Sequence, residues 1–119
     1  MDKKKPVIWV GSSKKDFMEF PKDVRTEMGH ALYIAQKGGK HSDTKPLKGF
    51  GGASMLEIVL RARNGTYRTV YTVEMKDAVY VLHAFQKKSK EGIKTPKQEI
   101  DLVEQRLKEI KGILEKRTR

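Results

Sequence analysis

The residues with the most chemical capacity lie together in Val79-Tyr80-Val81-Leu82-His83-Ala84-Phe85-Gln86-Lys87-Lys88. An imidazole titrates near neutral pH, so His83 is a candidate acid or base. It also stands in an apolar run, where a hydrogen-bonded core histidine is the competing role. Lys87 and Lys88 offer positive charge to a phosphate, or a proton where a neighbouring cation lowers an ammonium pKa. Their competing role is a solvated turn. Strand alternation sets Lys87 on the face of His83 and Phe85, which favours function. The chain has no cysteine, so thiolate nucleophiles, disulfides and cysteine zinc sites are excluded. His30, His41 and His83 are too scattered to form a metal motif.

Three strand patterns position these groups. Across residues 55–63, Leu56, Ile58, Leu60 and Ala62 point one way, while Glu57, Arg61 and Arg63 point the other. Asn64-Gly65 predicts a hairpin, because both residues tolerate positive φ. Residues 67–75 are rich in β-branched and aromatic side chains. Lys76-Asp77 turns the chain into the third strand, which ends in the lysines. The meander therefore carries a cluster of positive charge at one end.

Around it, residues 6–11 read as a short strand. Ser13-Lys14-Lys15-Asp16 has capping-box spacing for a short helix, and Pro21 opens a second one. Val24, Met28, Ala31, Leu32 and Ala35 form its apolar stripe, and Gly38-Gly39 stops it. Residues 40–54 read as a loop. Thr95, Pro96 and Gln98 cap a last helix with the stripe Ile100, Val103, Leu107, Ile110 and Leu114. Leu102 and Ile113 fall off that stripe.

The predicted fold is α+β with the order β-α-α-β-β-β-α. A helical hairpin and a C-terminal helix cover a small, mainly antiparallel four-stranded sheet. Residues 1–119 read as one domain, with 1–5 and 116–119 expected to fray. The charge balance, 26 basic against 15 acidic residues or net +11, favours polyanions or acidic partners. No apolar run is long enough to span a bilayer and no signal-peptide pattern is present, so a cytoplasmic protein with no membrane role is expected.

Several segments resemble a known group. Tyr67-Arg68-Thr69-Val70-Tyr71 in the meander, together with the element order, resembles the RelE/ParE toxin superfamily. The phage-related, HigB-like branch is resembled by Lys45-Pro46-Leu47-Lys48-Gly49-Phe50, Met55-Leu56-Glu57-Ile58, Tyr80-Val81-Leu82-His83-Ala84-Phe85-Gln86-Lys87-Lys88 and Thr95-Pro96-Lys97-Gln98-Glu99-Ile100. The resemblance implies the toxin of a type II toxin–antitoxin system. RelE and HigB types are ribosome-dependent mRNA endoribonucleases that inhibit translation without a metal or other cofactor; ParE types poison DNA gyrase. Implied partners are mRNA, the ribosome and a cognate antitoxin, a small helix-turn-helix DNA-binding protein. A non-catalytic RNA-binding domain is the reading from another class.

Through this resemblance Arg68 is the strand arginine that steadies phosphate charge in the transition state. Its alternative is an ion pair across the sheet with Glu57. His83, Lys87 and Lys88 complete the candidate catalytic set. Lys48, Arg61, Arg63, Lys90 and Lys94 are assigned to RNA or ribosome backbone contacts. The late tyrosine of some RelE-type toxins is missing, since none follows Tyr80. The general acid and base therefore stay open. The basic surface predicts an antitoxin segment that covers it or displaces the C-terminal helix.

Overall fold

In the computed structural model, which describes residues 4–50, 54–88 and 95–117, the chain runs β1 (Val7–Trp9), α1 (Ser13–Met18), α2 (Lys22–Gln36), β2 (Thr44–Pro46), β3 (Met55–Ala62), β4 (Gly65–Thr72), β5 (Val79–Lys87) and α3 (Lys97–Arg117). One mixed sheet has the order β1-β5-β4-β3-β2. β1 runs parallel to β5, and every other pairing is antiparallel. The α+β class is as expected, but the sheet has five strands rather than four. The additional strand, β2, lies inside the stretch 40–54 that reads as loop. Three residues are too few to show alternation, and Pro46 ends a strand at the sheet edge, where its missing N–H costs no ladder bond.

The helical hairpin covers one face of the sheet. Met28, Leu32 and Ala35 of α2 and Phe17 of α1 pack with Leu56, Ile58, Leu60, Tyr67, Tyr71 and Val81. The opposite face carries a second core, in which Val103, Leu107 and Ile110 of α3 meet Met55, Val70, Tyr80 and Leu82. Each stripe read from periodicity therefore has an apolar partner, and burial of these stripes drives the packing. The polar side of β3 is covered at its start, where Glu57 is only 1% exposed beneath Thr95. Farther along the same side Val59 is half-buried and Arg61 exposed, so the expected half-burial holds toward the hairpin but not at Glu57. Leu102 is half-buried and Ile113 is exposed. No described helix is long and apolar enough to cross a membrane.

Local signals hold with shifts of one residue. Ser12, not Ser13, flanks α1 and donates to Asp16 Oδ2 at 2.8 Å, while Ser13 is buried and donates to the Val81 carbonyl at 3.0 Å. At the β3–β4 turn, Ala62 pairs with Gly65, so the loop is Arg63-Asn64 and only Gly65 has positive φ, 121°. A Cβ on Gly65 would also run into the Lys87 carbonyl oxygen. The glycine thus lets the end of β5 close against the hairpin. By contrast, Gly29 in α2 has open space around it. Gly29→Ala should stabilise the protein by about 0.4–1 kcal/mol through lost unfolded-state freedom, and Gly65→Ala should destabilise it by about 1–3 kcal/mol. Urea unfolding of both variants checks the opposite signs.

Candidate functional site

The register of β4 and β5 assembles most of the predicted catalytic set. Arg68 pairs with Phe85, Val70 with His83 and Thr66 with Lys87. Paired residues share a sheet face, so Arg68, His83, Phe85 and Lys87 all project from the α3 side. This depends on a β-bulge: Val70 faces His83 but Tyr71 faces Val81, which leaves Leu82 as the additional residue. Up to Val81 the odd-numbered residues of β5 serve the helical-hairpin core; beyond the bulge Ala84 does so. An unbroken alternation would turn His83 and Phe85 toward α1 and α2. Three contacts secure the bulge: Val10 N–H and the Ser13 hydroxyl donate to the Val81 carbonyl, and Arg106 Nη1 donates to the Leu82 carbonyl at 2.8 Å.

Arg68 is 2% exposed. Its Nη1 donates to Glu57 Oε1 at 3.1 Å and to Thr95 Oγ1 at 3.3 Å, and its Nε donates to Thr66 Oγ1 at 3.3 Å. Thr95 in turn donates to Glu57 Oε2 at 2.5 Å. The threonine predicted to cap α3 thus spends its hydroxyl on the sheet. Glu57 and Arg68 form a buried ion pair with the start of α3 closed over it. The cross-sheet partnership weighed for Arg68 is present, and its guanidinium is shielded from solvent.

His83, 6% exposed, is held from two sides by α3. Nε2 lies 2.6 Å from Glu99 Oε2, and Nδ1 lies 3.5 Å from Arg106 Nη1. A guanidinium can only donate, so Nδ1 accepts and the ring proton on Nε2 goes to Glu99. His83 also stacks on Phe85, with ring centroids 4.9 Å apart at 21°. Arg106 reaches this position because Gly11 has no side chain: a Cβ there would come within 2.7 Å of Arg106 Nε. Glu99 and Arg106 were missed as site residues. Their helical periodicity places them beside the stripe, but nothing local says which strand they meet. Tyr80, the last tyrosine, opposes Thr72 rather than Arg68. Burial and a hydrogen bond to Asp77 raise its pKa, and its place across from Thr72 sets it apart from the Arg68 row.

The remaining candidates rim this face. Arg61 pairs with Thr66, which pairs with Lys87, making a row of two cations across the hairpin end. Arg63 is exposed in the turn, Lys48 is exposed after β2, and Lys88 is exposed just beyond β5. Lys90 and Lys94 lie outside the described residues. Lys45, not singled out from the sequence, is the register partner of Glu57 and faces the same side.

Residues 15–108 match the family described as Phage derived protein Gp49-like (DUF891). The chain belongs to this family. It is the phage-derived, RelE/HigB-type toxin family that the segments from Lys45 to Ile100 resemble. No curated protein matches the chain. Among solved structures, a chain of the toxin–antitoxin complex RelBE2 from Mycobacterium tuberculosis is similar, with 21% identity and a TM-score of 0.47 over 75% of this chain and 100% of that one.

For this Gp49-like protein the buried pair sets a stability test. Arg68→Met leaves the Glu57 carboxylate buried without its counter-ion, which typically costs about 3–5 kcal/mol. Replacing both, as Glu57→Leu with Arg68→Met, removes both charges together and should recover most of that loss. Urea unfolding of the two single variants and the double variant measures the coupling.

Proposed function

We propose that the protein is the toxin of a type II toxin–antitoxin pair and cleaves mRNA on the translating ribosome without a metal. The observation that carries this reading is the shared face: one guanidinium, one imidazole and one lysine stand on adjacent rows of β4 and β5 beside an aromatic ring. Cleavage by the neighbouring 2′-hydroxyl needs a proton acceptor, a cation for the charged phosphate and a donor for the 5′-oxygen. Arg68 is the proposed phosphate cation. Lys87, with Lys88 behind it, holds the same strand. The His83–Glu99 pair moves the proton, with Glu99 as its more exposed end. Lys48, Arg61, Arg63, Lys90 and Lys94 are the proposed contacts to RNA or ribosome backbone phosphates.

In this conformation Arg68 lies under the start of α3, so its use requires Thr95 and the first turn of α3 to draw back. Val103, Leu107 and Ile110 can remain as the apolar anchor of the helix. The antitoxin, by the same reading a small helix-turn-helix protein, covers the basic rim or displaces α3. Charge complementarity predicts affinity that falls along a salt series. Affinity that is flat with salt and unchanged by Lys87→Glu would contradict docking at this face.

One observation favours a second reading. Arg68 is buried and ion-paired with Glu57, as a purely structural arginine would be. A gyrase-directed toxin on this fold needs no catalytic group. The two readings part on cleavage. Arg68→Lys keeps a cation for Glu57 but loses the planar fork, so the fold should persist while cleavage falls by on the order of 10²–10³. Primer extension on cellular mRNA after brief induction, with and without translation, reads this directly. Translation-dependent cuts that weaken in Arg68→Lys support the nuclease. Growth arrest without cuts, accompanied by broken DNA, supports the gyrase reading.

A further inference from the structure

A cavity of about 300 Å³ opens to solvent between β2 and the first turn of α3. Pro46 and Ile100 form apolar walls beside the buried Leu47, and Lys45 and Lys48 stand exposed at the mouth. Glu57 and Thr95 close the bottom, but their side-chain polar atoms are committed to one another and to Arg68. The interior therefore calls for an apolar group, and the mouth for negative charge. Ile100 gives the same indication from the helix. Val103, Leu107, Ile110 and Leu114 of its stripe join the α3-side core, whereas Ile100 belongs to neither core and borders this cavity instead.

Two kinds of macromolecule carry enough negative charge, an acidic polypeptide and an RNA. A single-stranded base is held by stacking on aromatic rings or guanidinium planes and by hydrogen bonds to its edges. None of the described residues lining the cavity has an aromatic ring or a guanidinium, and the polar side chains at its bottom are already paired. An aliphatic side chain needs neither, because it gains from burial against Pro46, Leu47 and Ile100. Carboxylates on either side of it can then meet Lys45 and Lys48, in keeping with the net charge of +11. Addition of the partner as a further strand is disfavoured, because Pro46 in the edge strand β2 has no N–H to donate. The fit is to an inserted side chain.

We infer that the cavity is an anchor pocket for an acidic segment of a protein partner, which inserts one aliphatic side chain between β2 and Ile100. Its occupation has a consequence for Arg68. Ile100 lies in the first turn of α3, and Thr95 just ahead of that turn covers the Glu57–Arg68 pair. A side chain seated against both β2 and Ile100 binds only while that turn is closed, so it holds Arg68 out of reach. The inference deepens the toxin reading and rests on it for the partner's identity: an antitoxin would silence the site by fixing α3 in place, not by displacing it.

The full chain is titrated by NMR with acetyl-Asp-Leu-Asp-amide as the probe, alongside its Asp-Ala-Asp and Asn-Leu-Asn counterparts and a uridine oligomer. The leucine peptide should shift the methyl resonances of Leu47 and Ile100, with the alanine form about tenfold weaker and the asparagine form about threefold weaker. Lys45→Glu with Lys48→Glu should abolish the advantage of aspartate over asparagine. Ile100→Trp, which fills the cavity, should abolish that of leucine over alanine. Exchange of the Arg68 Nε–H with solvent reads opening. At a peptide concentration about ten times Kd it should slow about tenfold, as for a ligand of the closed form alone. No saturable shift at Leu47 and Ile100, a leucine advantage that survives Ile100→Trp in a folded protein, or unchanged Arg68 exchange under saturation overturns the inference. Tighter binding of the uridine oligomer at the same resonances assigns the cavity to RNA and overturns it too. Cleavage is scored separately: peptide-slowed exchange in a protein that never cuts mRNA keeps the pocket and rejects the nuclease, and translation-dependent cuts with no peptide effect do the reverse.

Discussion

A carboxylate removed from water needs a counter-charge, and in this protein Glu57 obtains it from Arg68 on the neighbouring strand. The pair is nearly inaccessible, at 1% and 2% exposure, so its geometry is set by the groups around it. Thr95 bridges the two, and Thr66 orients the arginine from its own strand. Because Thr95 lies two residues before α3, with only Pro96 between, the polar network also fixes where that helix begins. Further along, the contacts of α3 become apolar at Val103, Leu107 and Ile110. One helix thus has a polar end over the candidate site and an apolar end over the core. These two ends differ in how readily they can separate: polar contacts can be exchanged for water or a ligand, whereas apolar burial is lost outright on exposure.

The second constraint is the bulge at Leu82. It reverses the phase of β5, so that Val79 and Val81 serve one core while His83 and Phe85 face the other layer. Arg106 links this irregularity to α3, to the side chain of Ser12 and to His83. The space above Gly11 admits its guanidinium. A single side chain therefore couples the first turn of the fold, the bulge and the imidazole.

Much of this was legible in the sequence because the signals are local. The stripes of α2 and α3, the two-residue period of β3 and the Lys87 end of β5 each follow from spacing within about ten residues. The partnership of Glu57 with Arg68 could be named as an alternative, since both lie on the outward side of a hairpin. What could not be read depends on distant contacts. β2 exists only by pairing with β3, the bulge only by the mismatch between β4 and β5, and the burial of Glu57 only because α3 crosses a face that alternation leaves polar. Thr95 shows the same limit: its spacing predicts a helix cap, but its hydroxyl accepts from the Arg68 guanidinium and donates to the Glu57 carboxylate, both distant in sequence. Glu99 and Arg106 gain meaning only from the strand beneath them.

The central claim is that the α3-side face of β4 and β5 meets mRNA. The most direct measurement is photo-crosslinking on stalled ribosomes, with a photoreactive nucleotide at the cleaved codon and the attached residues mapped by mass spectrometry. The account predicts attachment within β5 and the β3–β4 hairpin, at Phe85, Lys87 and Arg61. Attachment confined to the exposed side of α2 would contradict it.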